Sequence, residues 1–195
     1  SRIRAVLKKS AQTYEIIFIN DCSTDNTLAE LLKLHSDKDK HIKIISFSRN
    51  FGHQSAVAAG LMHCSGAYVA ILDADLQDPP EVLPQFFKKL DEGFDVVYAV
   101  RTKRKEGLFK KSAYAIFYRL LKTISSIDIP LDSGDFCVMK KRVVDVMNSM
   151  PERNRFIRGL RSWTGFKQTG IAYERDQRFK GTSKYTFKKL TQLAV

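Results

Sequence analysis

Two aspartates on alternate residues, Asp73 and Asp75, are the strongest chemical signal in this sequence. They lie in the run ILDADLQDP at positions 71–79, which begins with a short apolar stretch. Carboxylates at this spacing can both bind one hard divalent cation and leave coordination positions for phosphate oxygens. The alternative interpretation is that they only cap the following helix. Because the run lies at a predicted ligand crevice, we predict that Asp73 and Asp75 bind a metal ion.

The segments around this run alternate between strands and helices. Apolar stretches rich in β-branched residues predict buried strands at 15–19, 42–47, 68–72 and 95–100. Helix-like segments separate them, at 25–35, 54–64 and 80–90. This order predicts an α/β fold with a Rossmann-like, mostly parallel sheet that is flanked by helices.

The pattern changes after residue 105. We predict a long aromatic-rich helix at 108–126, a strand at 136–140, helices at 141–150 and 155–163, and a strand at 166–173. A basic loop at 175–185 and a terminal amphipathic segment follow. The length of 195 residues fits a single domain with its own core.

Polar residues follow each of the first four predicted strands, where ligands bind in open α/β sheets. These segments are 20–25, 48–52, 73–78 and 101–105. Together they place acidic, polar and basic groups around one crevice, as a metal-bound phosphate ligand requires. In the first segment, Asp21 can accept hydrogen bonds from a nucleoside, whereas residues 23–25 better fit an N-cap. The alternative is that the whole segment is only a turn and a cap.

The charge balance points to anionic partners. The chain has 33 Lys and Arg against 21 Asp and Glu, a formal net charge of +12. This surplus favours nucleic acid, anionic lipid headgroups or phosphorylated substrates. The three cysteines are odd in number and have no C-x-x-C spacing, which predicts reduced thiols in a reducing compartment. The four histidines lack metal-ligand spacing, so we expect surface or hydrogen-bonded crevice positions for them.

Three segments carry a resemblance to a known family. They are YEIIFINDCSTDNT at 14–27, NFGHQ at 50–54 and DADLQDP at 73–79. They resemble family 2 glycosyltransferases, and among these the polyprenyl-phosphate branch of dolichol-phosphate mannosyltransferase and bacterial undecaprenyl-phosphate glycosyltransferases. The resemblance covers essentially the whole chain. It implies a single catalytic GT-A domain over 1–195, an inverting mechanism, a UDP- or GDP-sugar donor, Mg2+ or Mn2+, and a polyprenyl-phosphate acceptor.

The resemblance also implies roles for acidic residues at the donor. Asp21 matches the nucleoside-binding aspartate of the family. Asp73 and Asp75 match its metal and pyrophosphate motif, and Gln77 lies beside them. We therefore assign Asp21, Asp73, Asp75 and Gln77 to the donor, and Asp75 to catalysis as well.

Basic residues in three segments are implied to bind phosphate. Two of the segments would contact the donor, through Arg155, Arg158, Arg178 and Lys184. The third resembles the acceptor loop of the family, with Arg101, Arg104, Lys105 and Ser112. The alternatives are that one or two of the arginines near 155 only coat a helix, and that the acceptor segment is a solvated charge run.

Asp135 is the second residue that we assign to catalysis. Many sugar-accepting relatives have a Glu-Asp pair where this chain has SGDF at 133–136. A sugar hydroxyl needs a positioned base as it attacks, whereas a phosphate monoester, with a second pKa near 6, is mostly dianionic at pH 7. We expect Asp135 to orient the acceptor or to take a residual proton. The alternative is that Asp132 and Asp135 only shape a turn around Gly134.

Two features of the family are not found in this sequence. One is an opening strand that ends in a Pro-x-Tyr-Asn-Glu-like segment, and the other is a set of C-terminal membrane helices. We therefore expect the chain to be a piece of a longer protein that lacks part of the donor pocket and its anchor. We further expect contact with an anionic membrane surface at the cytoplasmic face, which in bacteria is that of the inner membrane. A homo-oligomer is a further possibility that the sequence does not decide.

Other functions fit the residues less well. Dinucleotide-binding and P-loop enzymes need a G-x-G-x-x-G string or a glycine-rich loop ending in GKS or GKT, and neither occurs. A nucleic-acid-binding module suits the positive charge, but Asp73, Asp75 and Asp78 would repel a phosphate backbone unless a metal intervened. We therefore expect no nucleic-acid partner. A glycosyltransferase with a saccharide hydroxyl acceptor is disfavoured by the basic segment at 101–111, and it stays the alternative.

Overall fold

The helices and strands follow one another in the order that the apolar pattern predicts. The computed structural model describes residues 2–10, 13–36, 40–75, 77–101 and 133–174. The helices are α1 (Arg2–Ser10), α2 (Thr27–Ser36), α3 (His53–His63), α4 (Leu83–Asp91, after a 3-10 turn at Pro80–Val82), α5 (Lys141–Ser149) and α6 (Ile157–Trp163). The strands are β1 (Ile16–Asn20), β2 (Ile42–Ser46), β3 (Tyr68–Ile71), β4 (Val96–Arg101), β5 (Ser133–Lys140) and β6 (Gln168–Tyr173). Predicted elements within these ranges are confirmed, with ends that differ by a few residues.

The strands form two groups with mixed directions. β1 and β2 pair in parallel, with Ile16 opposite Ile42. The remaining strands form one sheet in the order β3-β5-β4-β6, in which β4 and β6 are parallel. β5 runs antiparallel to both β3 and β4. The predicted α/β class is confirmed, and the reversal of β5 brings its first residues beside the carboxyl ends of β3 and β4.

Two apolar cores cover the two faces of the four-stranded sheet. Val96 of β4 belongs to one core together with residues from α3, α5 and α6, and the adjacent Val97 belongs to the other, which α4 covers. Both valines are fully buried. Because successive residues of a strand point to opposite faces, a strand that is buried on both faces reads as a continuous apolar run. This is why the sequence pattern located β4 correctly.

Glu15 joins the two strand groups at the edge opposite the predicted crevice. Its carboxylate accepts hydrogen bonds from Ser65 N (2.6 Å) and Ser65 Oγ (2.9 Å), in the turn before β3. It also forms an ion pair with Lys43 of β2 (2.6 Å). Burial alone would raise the pKa of Glu15, but the hydrogen bonds and the charge of Lys43 prevail and lower it to about 2. The ionised carboxylate is thus part of the folded structure.

Several predictions from the sequence lie outside the described residues. These are the helix at 108–126, the basic loop at 175–185, and all phosphate-binding candidates in 102–132 and 175–195. Within the part of the chain that the structure describes, no helix combines the length and apolar character needed to cross a bilayer. Cys22, Cys64 and Cys137 are free thiols, in agreement with the cysteine pattern.

Candidate active site

The register of the antiparallel pair β3–β5 brings Asp135 to the aspartate motif. Ile71, the last residue of β3, lies opposite Cys137 of β5. Asp73 comes two residues after Ile71, and Asp135 comes two residues before Cys137. Because the two strands are antiparallel, both aspartates lie at the carboxyl edge of the sheet. The charge of Asp135 raises the pKa of Asp73, as expected for two carboxylates that lie close together. The two predicted catalytic regions are therefore neighbours.

Asp135 is held by an arginine and a histidine from two different helices. Arg158 of α6 donates from Nε to Oδ1 (2.6 Å) and from a terminal nitrogen to Oδ2 (3.3 Å). His53, the first residue of α3, donates from Nε2 to Oδ2 (2.9 Å). Burial would raise the pKa of Asp135, whose side chain is 10% exposed, but these two partners lower it well below its ordinary value. Asp135 is consequently an ionised, firmly paired carboxylate and a weak base.

The aspartate motif concentrates negative charge in the loop after β3. Burial raises the pKa of the Asp73 carboxyl, His53 acts against this, and the charges of Asp78, Asp75 and Asp135 raise it further. Carboxylates gathered in this way favour a nearby cation. Within the described ranges no group of three or more acidic, cysteine or histidine side chains is arranged to hold a metal. Because Mg2+ prefers an octahedral set of oxygens, a cation at Asp73 and Asp75 would complete its coordination with oxygens of a ligand or of water.

Two contacts give the aspartate loop a defined shape. Asp75 Oδ1 accepts a hydrogen bond from the backbone nitrogen of Gln77 (3.0 Å), which closes a short turn within the motif. Asp78 is buried and accepts a hydrogen bond from the hydroxyl of Tyr173 at the end of β6. The loop is thereby attached to the last described strand, directly before the segment that contains Arg178 and Lys184. Asp78 and Tyr173 were not assigned a role from the sequence.

Asp21 connects the loop after β1 with the start of α3. Its carboxylate accepts hydrogen bonds from the backbone nitrogens of Phe51 (2.7 Å) and Gly52 (2.9 Å). The next residue, Cys22, has a positive φ of 53°, an uncommon conformation for a residue with a side chain. In the same loop Asp25 Oδ1 accepts a hydrogen bond from the backbone nitrogen of Thr27 (3.0 Å), the first residue of α2, so Asp25 stabilises the start of this helix. Each carboxylate oxygen has more than one lone pair, so Asp21 can accept further hydrogen bonds beside these two. Its assignment to a nucleoside stays a prediction.

The two arginines near residue 155 have different surroundings. Arg158 reaches Asp135, as described above. Arg155 lies before the helix that was expected to contain it, and its guanidinium donates to the backbone oxygens of Met150 (3.1 Å) and Asn148 (3.3 Å). The structure thus brings Arg158, but not Arg155, to the aspartates at the sheet edge. The assignment of Arg155 to the donor stays a prediction.

The remaining assigned residues cannot be placed against this cluster. Arg101 ends β4, and its side chain lies outside the described part, as do the acceptor and donor residues Arg104, Lys105, Ser112, Arg178 and Lys184. Conversely, His53 and Gln54 contact the site although no role was assigned to them. The signal that could have found them is their place in the segment NFGHQ, which carries part of the family resemblance and leads from the loop after β2 into α3.

An α/β domain with a charged crevice at one sheet edge fits a protein that binds a phosphorylated ligand. The sequence profile of glycosyl transferase family 2 matches residues 1–147. The chain belongs to this family of glycosyltransferases. It is 49% identical to the uncharacterized glycosyltransferase YkcC of Bacillus subtilis, over all of this chain and 60% of that protein. It is 40% identical to the bactoprenol glucosyl transferase of Shigella phage SfV, over 93% of this chain and 59% of that protein.

Solved structures with the same architecture confirm the GT-A fold. The mannosyltransferase PcManGT of Pyrobaculum calidifontis, solved with GDP-Man and Mn2+, superposes with a TM-score of 0.57 at 18% identity, over 87% of this chain and 49% of that chain. Glucosyl-3-phosphoglycerate synthase of Mycobacterium tuberculosis, solved with Mn2+, UDP-glucose and phosphoglyceric acid, gives 0.53 at 19% identity, over 98% and 70%. The chain spans about 60% of the length of the two sequence relatives above.

Proposed function

We propose that this chain is the catalytic part of an inverting, metal-dependent glycosyltransferase that moves a sugar from a UDP- or GDP-sugar to a polyprenyl phosphate. The observation that carries the acceptor assignment is the pairing of Asp135 with His53 and Arg158. Support also comes from the relative that is a bactoprenol glucosyl transferase, since bactoprenol is a lipid carrier. The match with this relative covers 93% of this chain.

The state of Asp135 suits a phosphate nucleophile better than a hydroxyl. A hydroxyl must lose its proton during attack, which requires a base with a pKa near the working pH. Hydrogen bonds from His53 and Arg158 lower the pKa of Asp135 and occupy both of its oxygens, so it is poorly suited to that task. A phosphate monoester is already largely dianionic at pH 7 and needs orientation more than deprotonation. Through its pairing with Arg158, Asp135 would help to orient such an acceptor at the edge of the sheet.

The donor half of the proposal rests on the aspartate loop and on the loop after β1. Asp73 and Asp75 would hold Mg2+ or Mn2+, with Gln77 beside them and Asp21 at the nucleoside end. The metal ion, when bound, would screen the charge of the diphosphate as it leaves. Mn2+ accompanies the nucleotide sugar in two proteins of the same fold. A single displacement, with the acceptor phosphate attacking opposite the departing diphosphate, would invert the configuration at the sugar carbon.

Basic residues outside the described ranges complete the proposal. Arg101, Arg104, Lys105 and Ser112 would receive the acceptor phosphate, and Arg178 and Lys184 would neutralise the departing diphosphate. Reaction with a polyprenyl phosphate would take place at a membrane surface, on the cytoplasmic side in bacteria. The net charge of +12 favours adsorption to anionic lipid, to which each nearby Lys or Arg contributes about 1 kcal/mol.

The test of this proposal is a matrix of donors and acceptors with the purified full-length protein. UDP- and GDP-sugars are each combined with undecaprenyl phosphate or with a saccharide, in the presence of Mg2+ or Mn2+. We expect a product with the mass of the lipid phosphate plus one sugar, and we expect a chelator to abolish it. Transfer to the saccharide alone would contradict the proposed acceptor, and undiminished transfer with the chelator would contradict the metal requirement.

A further inference from the structure

His53 contacts the reaction centre, and the proposed function gives it no task. It is the first residue of α3, whereas Asp135 is on β5, 82 positions further along the chain. Its Nε2 lies 2.9 Å from Oδ2 of Asp135, and its side chain is 40% exposed. The charge of Asp73 also acts on His53. His53 therefore contacts the proposed acceptor residue and lies close enough to the proposed metal motif to sense its charge.

The Asp135 carboxylate needs more than one partner to keep a single orientation. The final torsion of an aspartate side chain has a broad energy profile, so its plane is set by hydrogen bonds. Arg158 holds Oδ1 at 2.6 Å but approaches Oδ2 only to 3.3 Å. The shorter contact to Oδ2 comes from His53, at 2.9 Å. With His53 removed, rotation about this torsion would be restrained mainly at one oxygen.

The backbone that carries His53 is itself fixed on both sides. Before it, the backbone nitrogens of Phe51 and Gly52 donate to the Asp21 carboxylate. After it, the Gln54 side chain accepts from the backbone nitrogen of Ile157, the first residue of α6 and the neighbour of Arg158. His53 and Arg158 are thus held in a constant relation to each other while both bind Asp135. A merely solvent-exposed histidine would need none of these supports.

We propose that His53 is a positioning residue for sugar transfer, which holds Oδ2 of Asp135 so that the carboxylate keeps one orientation and its partner Arg158 stays at the sheet edge, where the acceptor would bind beside Asp73 and Asp75. The inference deepens the proposed function and rests on it for the role of Asp135. The contact itself does not depend on which acceptor is used. Its loss would lower the rate of transfer and would leave binding of the donor nearly unchanged.

The first test measures steady-state transfer by the full-length enzyme, with the acceptor that the matrix of donors and acceptors identifies. His53→Ala should lower kcat by roughly 10-fold or more and change the donor KM by less than about two-fold. His53→Gln places an amide nitrogen near the position of Nε2 and should recover most of the rate. His53→Asn carries the same amide on a shorter side chain and should not. Equal rates for the Gln and Asn variants would overturn the inference.

A double-mutant cycle separates positioning from general damage. A positioning residue acts through the group that it holds, so His53→Ala should cause no further loss when Asp135→Ala is already present. His63→Ala, at the exposed far end of α3, is the matched control and should behave as wild type. Losses that multiply in the double variant would contradict a role through Asp135.

A crystal structure of the full-length His53→Ala variant gives a result that needs no activity. The Asp135 carboxylate should be rotated or should occupy more than one orientation, with Arg158 still in contact. A single carboxylate in the same place as in the wild-type enzyme would overturn the inference. This outcome is separate from the acceptor question, because transfer to a saccharide alone would remove the proposed function and leave the structural result unaffected.

Discussion

At the scale of single residues, the carboxylates at the sheet edge differ in their surroundings and therefore in their chemistry. Asp135 is paired with a guanidinium and an imidazole, which lower its pKa. Asp73 is half-buried, and its partial burial together with the neighbouring carboxylates raises its pKa. A divalent cation would reduce the repulsion between Asp73 and its neighbouring carboxylates, whereas Asp135 is already paired with Arg158 and His53. Substitutions at the two positions should accordingly affect different substrates.

Asp75→Asn should abolish transfer and weaken metal-dependent binding of UDP or GDP by at least about 10-fold. The reason is that a neutral amide binds Mg2+ or Mn2+ more weakly than a carboxylate and offsets none of its charge. Titration calorimetry with and without Mn2+ measures this effect. Asp145→Asn, an exposed carboxylate on α5, is the control and should change nothing. Unaltered affinity and turnover in Asp75→Asn would exclude the metal assignment.

Asp135→Asn should slow transfer to a polyprenyl phosphate without stopping it. Its defect should stay partial from about pH 6 to pH 8, because the acceptor monoester is then largely dianionic and loses only the orientation that Asp135 gives through Arg158. A hydroxyl acceptor would give a severe loss over the same range, since no other base is assigned to its proton. The measurement is kcat/KM for the acceptor at several pH values, for wild type and variant. A flat, near-total loss would favour the saccharide acceptor.

At the scale of elements, the reversed strand β5 decides where the site forms. The apolar runs located the strands, since buried stretches of β-branched residues are recognisable in a sequence. They could not give the direction of β5, because a short apolar run is the same pattern in either direction. The register that places Asp135 beside Asp73 therefore could not be predicted from the sequence. The His53–Asp135 contact could not be predicted either, because it joins residues 82 positions apart.

Glu15→Gln should destabilise the fold by about 1–2 kcal/mol at neutral pH, since it removes a charged acceptor of several hydrogen bonds. The pKa of Glu15 in the folded protein is about 2, against an ordinary value of 4.5. A lowered pKa stabilises the fold above the ordinary value and ceases to do so as pH falls through the folded value. The difference in Tm between wild type and variant should therefore be largest above pH 5 and shrink toward pH 2.

Glu30→Gln is the matched control for this measurement, because Glu30 forms only an exposed ion pair with Lys33 on the surface of α2. Such pairs contribute about 0–1 kcal/mol. A pH-independent difference between wild type and Glu15→Gln would mean that Glu15 does not join the two strand groups through its charge.

At the scale of the whole molecule, fold and charge support different parts of the account. The GT-A architecture and membership of glycosyl transferase family 2 define the reaction class, transfer of a glycosyl group. They do not choose the acceptor, because one fold serves many substrates. The excess of 33 basic over 21 acidic residues and the paired state of Asp135 both favour an anionic acceptor. The chain spans about 60% of its relatives' length, so the acceptor is tested with the full-length protein.

The most direct measurement compares undecaprenyl phosphate with undecaprenol as acceptors for the same nucleotide sugar. The two lipids differ only in the phosphate, so the comparison isolates the nucleophile that the site is proposed to bind. We predict a kcat/KM at least ~100-fold higher for undecaprenyl phosphate, equivalent to about 2.7 kcal/mol of transition-state stabilisation. Equal values for the two lipids, or transfer to neither lipid alongside efficient transfer to a saccharide, would contradict the account.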